Sequence, residues 1–150
     1  MRLQDILAVK GTTVFTTLPD VSLAELVRQM VEHNIGSMLV CQRDLTLGER
    51  LIGIVTERDM LRCFAAGKCD LAQLKVADVM TTKLITAKPT DSVTDLMGVM
   101  TTHRIRHVPI MSGERLVGMV SIGDLVKWII TEQEETIQQL EHYIAGNFPG

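Results

Sequence analysis

The chain has 150 residues, 46% of them hydrophobic and 22% charged, with a formal net charge of −3 and only one Trp, one Tyr and three Phe. This composition fits a folded domain with a buried core and excludes a disordered chain. It also argues against a nucleic-acid binder, which needs a basic face or aromatic platforms for stacked bases.

From its start, MRLQDILAVKG is too short in its apolar part, and too soon interrupted by charge, for a signal peptide. No apolar run approaches the length that spans a bilayer. Residues 14–17 read as a short β segment running into a turn at Pro19. Ser22 with Glu25 has the spacing of a capping box, and Leu23, Leu26, Val27, Met30 and Val31 form one apolar helical stripe. Two strands follow, SMLVC and LIGIV, joined by a turn-like QRDLTLGER long enough to be mobile. A second helix opens at Asp59. Cys41, Cys63 and Cys69 are odd in number and lack paired CxxC spacing, which fits neither a disulfide framework nor a structural zinc site. A soluble protein of the reducing cytoplasm is expected.

The same order then recurs. Residues 84–87 read as a β segment, Ser92 with Asp95 as a helix start, and Val93, Leu96, Met97 and Met100 as its apolar stripe. HVPIM and LVGMV are strands joined by SGER, and a helix opens at Asp124. Pro109 fits poorly in a central strand and is expected at an edge or near the strand's start. The tail, WIITEQEETIQQLEHYIAGNFPG, reads as one long helix ended by Gly and Pro, with Ile130, Ile137, Leu140 and Ile144 on one face. That stripe fits packing on its own module or against another chain.

A shift of 70 aligns Thr16 with Thr86, Pro19 with Pro89, Ser22 with Ser92, Leu26 with Leu96, Met30 with Met100, His33 with His103 and Ile35 with Ile105. After a five-residue difference in loop length the shift becomes 65, and ERLIGIVTERDML falls on ERLVGMVSIGDLV. Even the lead-ins agree, RLQDIL with KVADVM, so that Asp5 matches Asp78. The chain is a tandem duplication of a β-α-β-β-α unit. Residues 1–70 hold the first copy with its lead-in, 71–131 the second with its linker, and 132–150 a helical extension. The expected fold is α/β (α+β), two pseudo-symmetric units packed through their sheets.

The repeated core is G-x-x-[T/S]-x-x-D: Gly53, Thr56, Asp59, and Gly118, Ser121, Asp124. Glycine admits close approach of another group. A hydroxyl and the first amides of a helix receive phosphate, and a carboxylate is suited to a ribose diol. Thr56 and Ser121 serve equally as N-caps, each Asp favouring the first helical turn; the two roles are compatible. His33 and His103 fit helix carboxyl ends. His107, present in the second copy alone, is read as a packed or surface residue, with a phosphate contact as the alternative. If residues 106–110 are strand, Arg106 and His107 point to opposite faces.

HNIGSMLVC followed by LIGIVTERDMLR, and HRIRHVPI followed by LVGMVSIGDLV, closely resemble the CBS-domain family in its stand-alone tandem form, the Bateman module. The resemblance covers roughly residues 1–130. It implies two CBS repeats, binding of an adenosyl ligand (AMP, ATP, NAD or, less favoured, S-adenosylmethionine) between them, no required cofactor, and a homodimer. It implies ribose binding by Asp59 and Asp124, each with its hydroxyl partner, Thr56 or Ser121. A basic residue before the middle strand holds phosphate in many members; that position is Arg106 in the second copy but Gly36, beside Ser37, in the first. Backbone of the opposite copy usually holds adenine, which implicates Thr12, Thr13 and Val14 with Asp124, and Lys83, Leu84 and Ile85 with Asp59. The Asp124 cleft, with Ser121, Arg106 and His107, is expected to be the stronger site, and Arg58 to lend charge to the Asp59 cleft or across a dimer. The expected role is regulatory, without catalysis. A nucleotide hydrolase using Asp59 or Asp124 as base, and an interaction module with vestigial clefts, remain the alternatives; no P-loop, carboxylate cluster or Ser-His-Asp order supports the former.

Overall fold

Ser22 and Ser92 begin equivalent helices, each hydroxyl accepting a bond from the backbone N–H three residues on, Glu25 at 3.2 Å and Asp95 at 3.0 Å. The structure, a computed structural model, describes residues 1–67 and 69–147. In chain order its elements are α1 (Leu3–Lys10), β1 (Thr16–Thr17), α2 (Leu23–His33), β2 (Ser37–Asp44), β3 (Gly48–Thr56), α3 (Glu57–Ala65), α4 (Val76–Val79), α5 (Val93–His103), β4 (His107–Ser112), β5 (Arg115–Ser121) and α6 (Ile122–Asn147). One sheet has the order β1-β2-β3, with β1 parallel and β3 antiparallel to β2; the other pairs β4 with β5. β3 lies against β5, so the halves meet through their sheets.

The duplication extends to irregularities. Both hairpins slip register at equivalent places, between Val40 and Cys41 and between Ile110 and Met111. The QRDLTLGER segment is not a long mobile loop: the strands run on to Asp44 and from Gly48, and Asp44 accepts from the N–H groups of Thr46 (2.8 Å) and Leu47 (3.0 Å). Pro109 does sit within a strand. Having no N–H for a parallel neighbour, it leaves the counterpart of β1 as a single bridge, Ala87 to Ile110. Val31 departs from the expected stripe and is exposed, because it falls about 90° from the stripe's centre at 100° per residue. The second copy's last helix and the tail are one helix, α6, and the expected Gly/Pro stop lies partly in residues 148–150, outside the described residues.

There are two cores, and the lead-ins are exchanged between them. Leu3, Ile6 and Leu7 of α1 are buried with Val93, Leu96, Met100, Val108 and Val120 of the second half. Val76 of α4 is buried with Leu23, Leu26, Met30 and Val55 of the first. Backbone bonds repeat the exchange: Leu3 N–H donates to Asp91 and Gln4 to Pro89, while Val76 donates to Val21 and Ala77 to Pro19, all at 2.9–3.0 Å. The motif glycines serve this crossing. A Cβ on Gly118 would stand 2.8 Å from Leu7 Cδ2, and one on Gly53 2.8 Å from Met80 Sδ. Their close approach is to the exchanged lead-in.

Leu3 is fully buried in a core it joins only through this exchange. Leu3→Ala is expected to destabilise the protein by about 2–5 kcal/mol in urea unfolding, with the second half exposing its amides first in hydrogen exchange.

Candidate functional site

Thr56 ends β3 and Asp59 sits in the first turn of α3. Asp59 N–H donates to Thr56 Oγ1 at 3.3 Å, and Thr56 N–H to Asp59 Oδ2 at 2.9 Å. Ser121 and Asp124 repeat the reciprocal pair, at 3.2 and 2.8 Å, at the start of α6. Capping is therefore a role both carboxylates perform. It leaves Asp59 Oδ1 turned toward the other half, where Thr81 Oγ1 donates to it at 3.0 Å.

Around Asp59 the halves enclose a cavity of about 620 Å³. Its walls come from Gly36, Thr56, Glu57, Arg58, Asp59 and Arg62 of the first half, then Lys83, Leu84 and Ile85, then His103, Arg104, Arg106, His107 and Pro109 of the second. That volume suits a nucleotide-sized ligand. The cavity is also cationic: Arg58, Arg62, Lys83, Arg104 and Arg106 face the carboxylates of Glu57 and Asp59, in a chain whose net charge is −3. Among the described residues its ion pair is Arg62 with Asp59, at a loose 4.0 Å. Asp59 itself, with a side chain 6% exposed, lies at the floor. Arg58 Nη1 reaches the Arg104 carbonyl at 3.5 Å across the gap between halves.

Of the residues named from sequence, Gly36, Thr56, Arg58, Asp59, Lys83, Leu84 and Ile85 are brought together here. Ser37 is buried within β2, opposite Thr56. Arg106 and His107 line this same cavity, although the sequence grouped them with Asp124. Arg106 precedes β4, which begins at His107, so the strand alternation expected for the pair does not apply to it. A Cβ at Gly36 would meet Glu57 Oε1 at 3.2 Å, so glycine there makes room for a cleft carboxylate. Sequence reasoning missed Arg62, Thr81 and Arg104 as contributors. Arg62 lies one helical turn beyond Asp59, a spacing that predicts a shared face.

Around Asp124 the surroundings differ. Thr12 and Thr13 are exposed and Val14 half-buried. What reaches Asp124 from that end of the chain is Lys10, whose Nζ donates to Asp124 Oδ2 at 2.6 Å and to the Met119 carbonyl at 2.7 Å. Burial pushes the Asp124 carboxyl up, but the Lys10 bond and donation from Ser121 outweigh it, and its pKa lies below the ordinary carboxylate value.

No other chemistry competes for these residues. Burial pushes the Cys41 thiol up to about 11, and a hydrogen bond with Cys63 followed by burial does the same to Cys69, so neither is an activated nucleophile. Among the described residues no group of three or more His, Cys, Asp or Glu side chains is placed to hold a metal, and no helix is long and apolar enough to cross a membrane.

Comparison with known proteins follows the duplication. The family model for the CBS domain matches residues 6–66 and again 76–131. The chain is 38% identical over 142 residues to CBS domain-containing protein CBSX3, mitochondrial, of Arabidopsis thaliana, covering 92% of this chain and 66% of that protein's length. The crystal structure of the CBS-domain containing protein ATU1752 from Agrobacterium tumefaciens superimposes with a TM-score of 0.77 at 35% identity, over 85% of this chain and 98% of that one. The CBS domain pair of protein MJ0100, in complex with 5′-methylthioadenosine and S-adenosyl-L-methionine, matches at 25% identity with a TM-score of 0.72, over 88% and 98% of the two chains.

Two measurements test the site's physics. Arg104 ends α5 at φ 54°, a left-handed conformation that its counterpart Asn34 adopts with less strain. Arg104→Asn is therefore expected to stabilise the fold by about 0.5–1 kcal/mol in urea unfolding. His107 is held below the ordinary imidazole pKa of 6.5, first by burial and then by Lys10 and Arg106, against weaker pulls from Asp124 and Glu57. The folded state thus binds this proton less readily than the unfolded chain, and stability falls as pH drops through and below 6.5. The urea midpoint is expected to be lower at acid than at neutral pH, with the difference shrinking in His107→Asn.

Proposed function

The chain belongs to the CBS-domain family, and from that premise we propose that it is a regulatory module that binds an adenine nucleotide in the Asp59 cleft. The observation that carries this reading is that five cationic residues, from both halves, line one cavity of about 620 Å³ together with Glu57 and the buried Asp59. Asp59 takes the ribose diol, and backbone at Lys83, Leu84 and Ile85 meets the adenine. The phosphates lie toward Arg58, Arg62, Arg104 and Arg106, with the α3 amino terminus adding its own positive end. Charge ranks the ligands. AMP, ATP and NAD bring anions to a cationic cleft, whereas the sulfonium of S-adenosylmethionine brings another cation. The protein is non-catalytic in this reading, a binding module whose cleft residues hold a ligand without transforming it.

The site is built from both halves, so a ligand that prefers one arrangement of them shifts the module toward it, and only that difference in affinity transmits a signal. Two further elements belong to the proposal. The chain works in the reducing cytoplasm, for which its three free cysteines speak. It pairs with a second copy, for which the exposed stripe Ile130, Ile137, Leu140 and Ile144 on α6 speaks.

Titration calorimetry with AMP, ATP, NAD and S-adenosylmethionine is expected to show binding of the phosphate-bearing ligands ahead of the sulfonium. Asp59→Ala should weaken it by about tenfold or more, the equivalent of a lost charged hydrogen bond, and Asp124→Ala by less. Absence of binding by all four, or a larger loss at Asp124, refutes the assignment. Chromatography of the incubated nucleotide should return it unchanged; turnover would instead favour the hydrolase.

A further inference from the structure

The duplication supplies an internal control for each feature of the Asp59 cleft, and at one point the copies part. In the first half, two acceptors are satisfied by one residue of the second lead-in: Thr81 N–H donates to the Ile54 carbonyl at 2.8 Å, and Thr81 Oγ1 to Asp59 Oδ1 at 3.0 Å. The equivalent acceptors in the second half are the Met119 carbonyl and the Asp124 carboxylate. The Lys10 ammonium takes both, the Met119 carbonyl at 2.7 Å and Asp124 at 2.6 Å. On Asp124 it meets Oδ2, the oxygen that also accepts from Ser121 N–H, whereas Thr81 takes the other oxygen of Asp59. A length difference causes the exchange. Leu7 and Met80 occupy equivalent places against Gly118 and Gly53, but α1 continues to Lys10 where α4 has already ended at Val79. The extra turn carries a lysine where the other copy has a threonine.

Electrostatically the substitution is not neutral. A hydroxyl leaves Asp59 an anion that still accepts from a diol. An ammonium at 2.6 Å compensates Asp124 and fills the space beside it. The pair is only partly open, with side chains 36% and 24% exposed, so water does not fully screen it. Of the basic groups nearest in sequence, Arg106 lines the Asp59 cavity, and His107 lines it too while lying close enough to Lys10 and Asp124 to feel both charges.

We infer that Lys10 is an intramolecular occupant of the Asp124 cleft and makes this duplicated module a single-site one, with one nucleotide per chain. This rests on the nucleotide reading of the Asp59 cleft. A ligand entering at Asp124 must first displace the ammonium from two acceptors, and removing Lys10 leaves the carboxylate with its capping bond and without that cation.

The test is stoichiometry, with ATP as the probe. Wild type is expected to bind one ATP per chain, lost in Asp59→Asn. Lys10→Met is expected to bind two, the new site tightened by about tenfold or more and removed again by Asp124→Asn. Lys10→Arg, which keeps the cation, should stay at one and serves as the folding control, with circular dichroism checking each variant. Two equivalents in wild type, or one in folded Lys10→Met, overturn the inference. A ligand-free readout separates its failure from that of the nucleotide reading: the Lys10 ammonium should give a slowly exchanging ¹H–¹⁵N signal that disappears in Asp124→Asn. If that signal is absent from wild type, the contact does not hold in solution and the inference falls whatever the cleft binds. If it is present but neither wild type nor Lys10→Met binds ATP, the nucleotide reading falls, and Lys10 with it as a guard of any site.

Discussion

Leu3 and Val76 are each fully buried in the core of the half that does not follow them in sequence. Most of the architecture depends on this exchange. Either half alone would lack apolar side chains from its core and backbone donors at the mouth of its first long helix, where Asp91 and Pro89 accept from the first lead-in and Val21 and Pro19 from the second. Burying those side chains yields on the order of 1.5–3 kcal/mol each, and only when the halves are apposed. The apposition brings β3 onto β5 and leaves the Asp59 cavity between the halves. The cleft thus follows from a packing requirement, and its walls belong to two halves because the cores do.

The motif G-x-x-[T/S]-x-x-D answers to the same constraint. Gly53 and Gly118 are small because a lead-in crosses them, with Met80 and Leu7 filling the space a Cβ would need. Thr56 and Ser121 cap helices, and Asp59 and Asp124 complete the capping boxes. Each motif residue is thereby required by the fold before any ligand is considered. What the fold leaves over differs between the copies: Asp59 Oδ1 accepts from the neutral Thr81 hydroxyl, with cations lining the cavity around it, whereas Asp124 meets the Lys10 ammonium directly.

What was legible in the sequence was local or repeated. Ser22 and Ser92, the strand runs and the G-x-x-[T/S]-x-x-D motif are short-range signals, and comparing the copies made each of them count twice. The residues grouped with Asp59 were legible too, down to Lys83, Leu84 and Ile85. The spatial partner of each lead-in was not legible, because RLQDIL and KVADVM carry the same pattern and either half offers the same receptor. Nor was it legible that Arg106 and His107 would line the Asp59 cavity: adjacency to Ser121 and Asp124 along the second copy suggested the other cleft, and His107 does stay within reach of Lys10 and Asp124. Lys10 was invisible for a different reason. Its role comes from one extra helical turn in α1, which lies beyond the aligned lead-ins RLQDIL and KVADVM.

The asymmetry bears on how such a module can signal. Five cations gathered near two carboxylates repel one another, and in the unliganded protein that repulsion acts between halves: Arg58 and Arg62 sit on α3, Lys83 follows the second lead-in, and Arg104 and Arg106 flank the turn into β4. The Arg58 bond to the Arg104 carbonyl, long at 3.5 Å, and the left-handed backbone of Arg104 show groups held short of their best geometry. An anion placed among them removes the repulsion on one side of the pseudo-dyad only. On the other side, Lys10 already neutralises Asp124. Under the single-site proposal a ligand would act on the halves at one side of the pseudo-dyad alone, and charge compensation there would supply the difference in affinity that a two-state regulatory element needs.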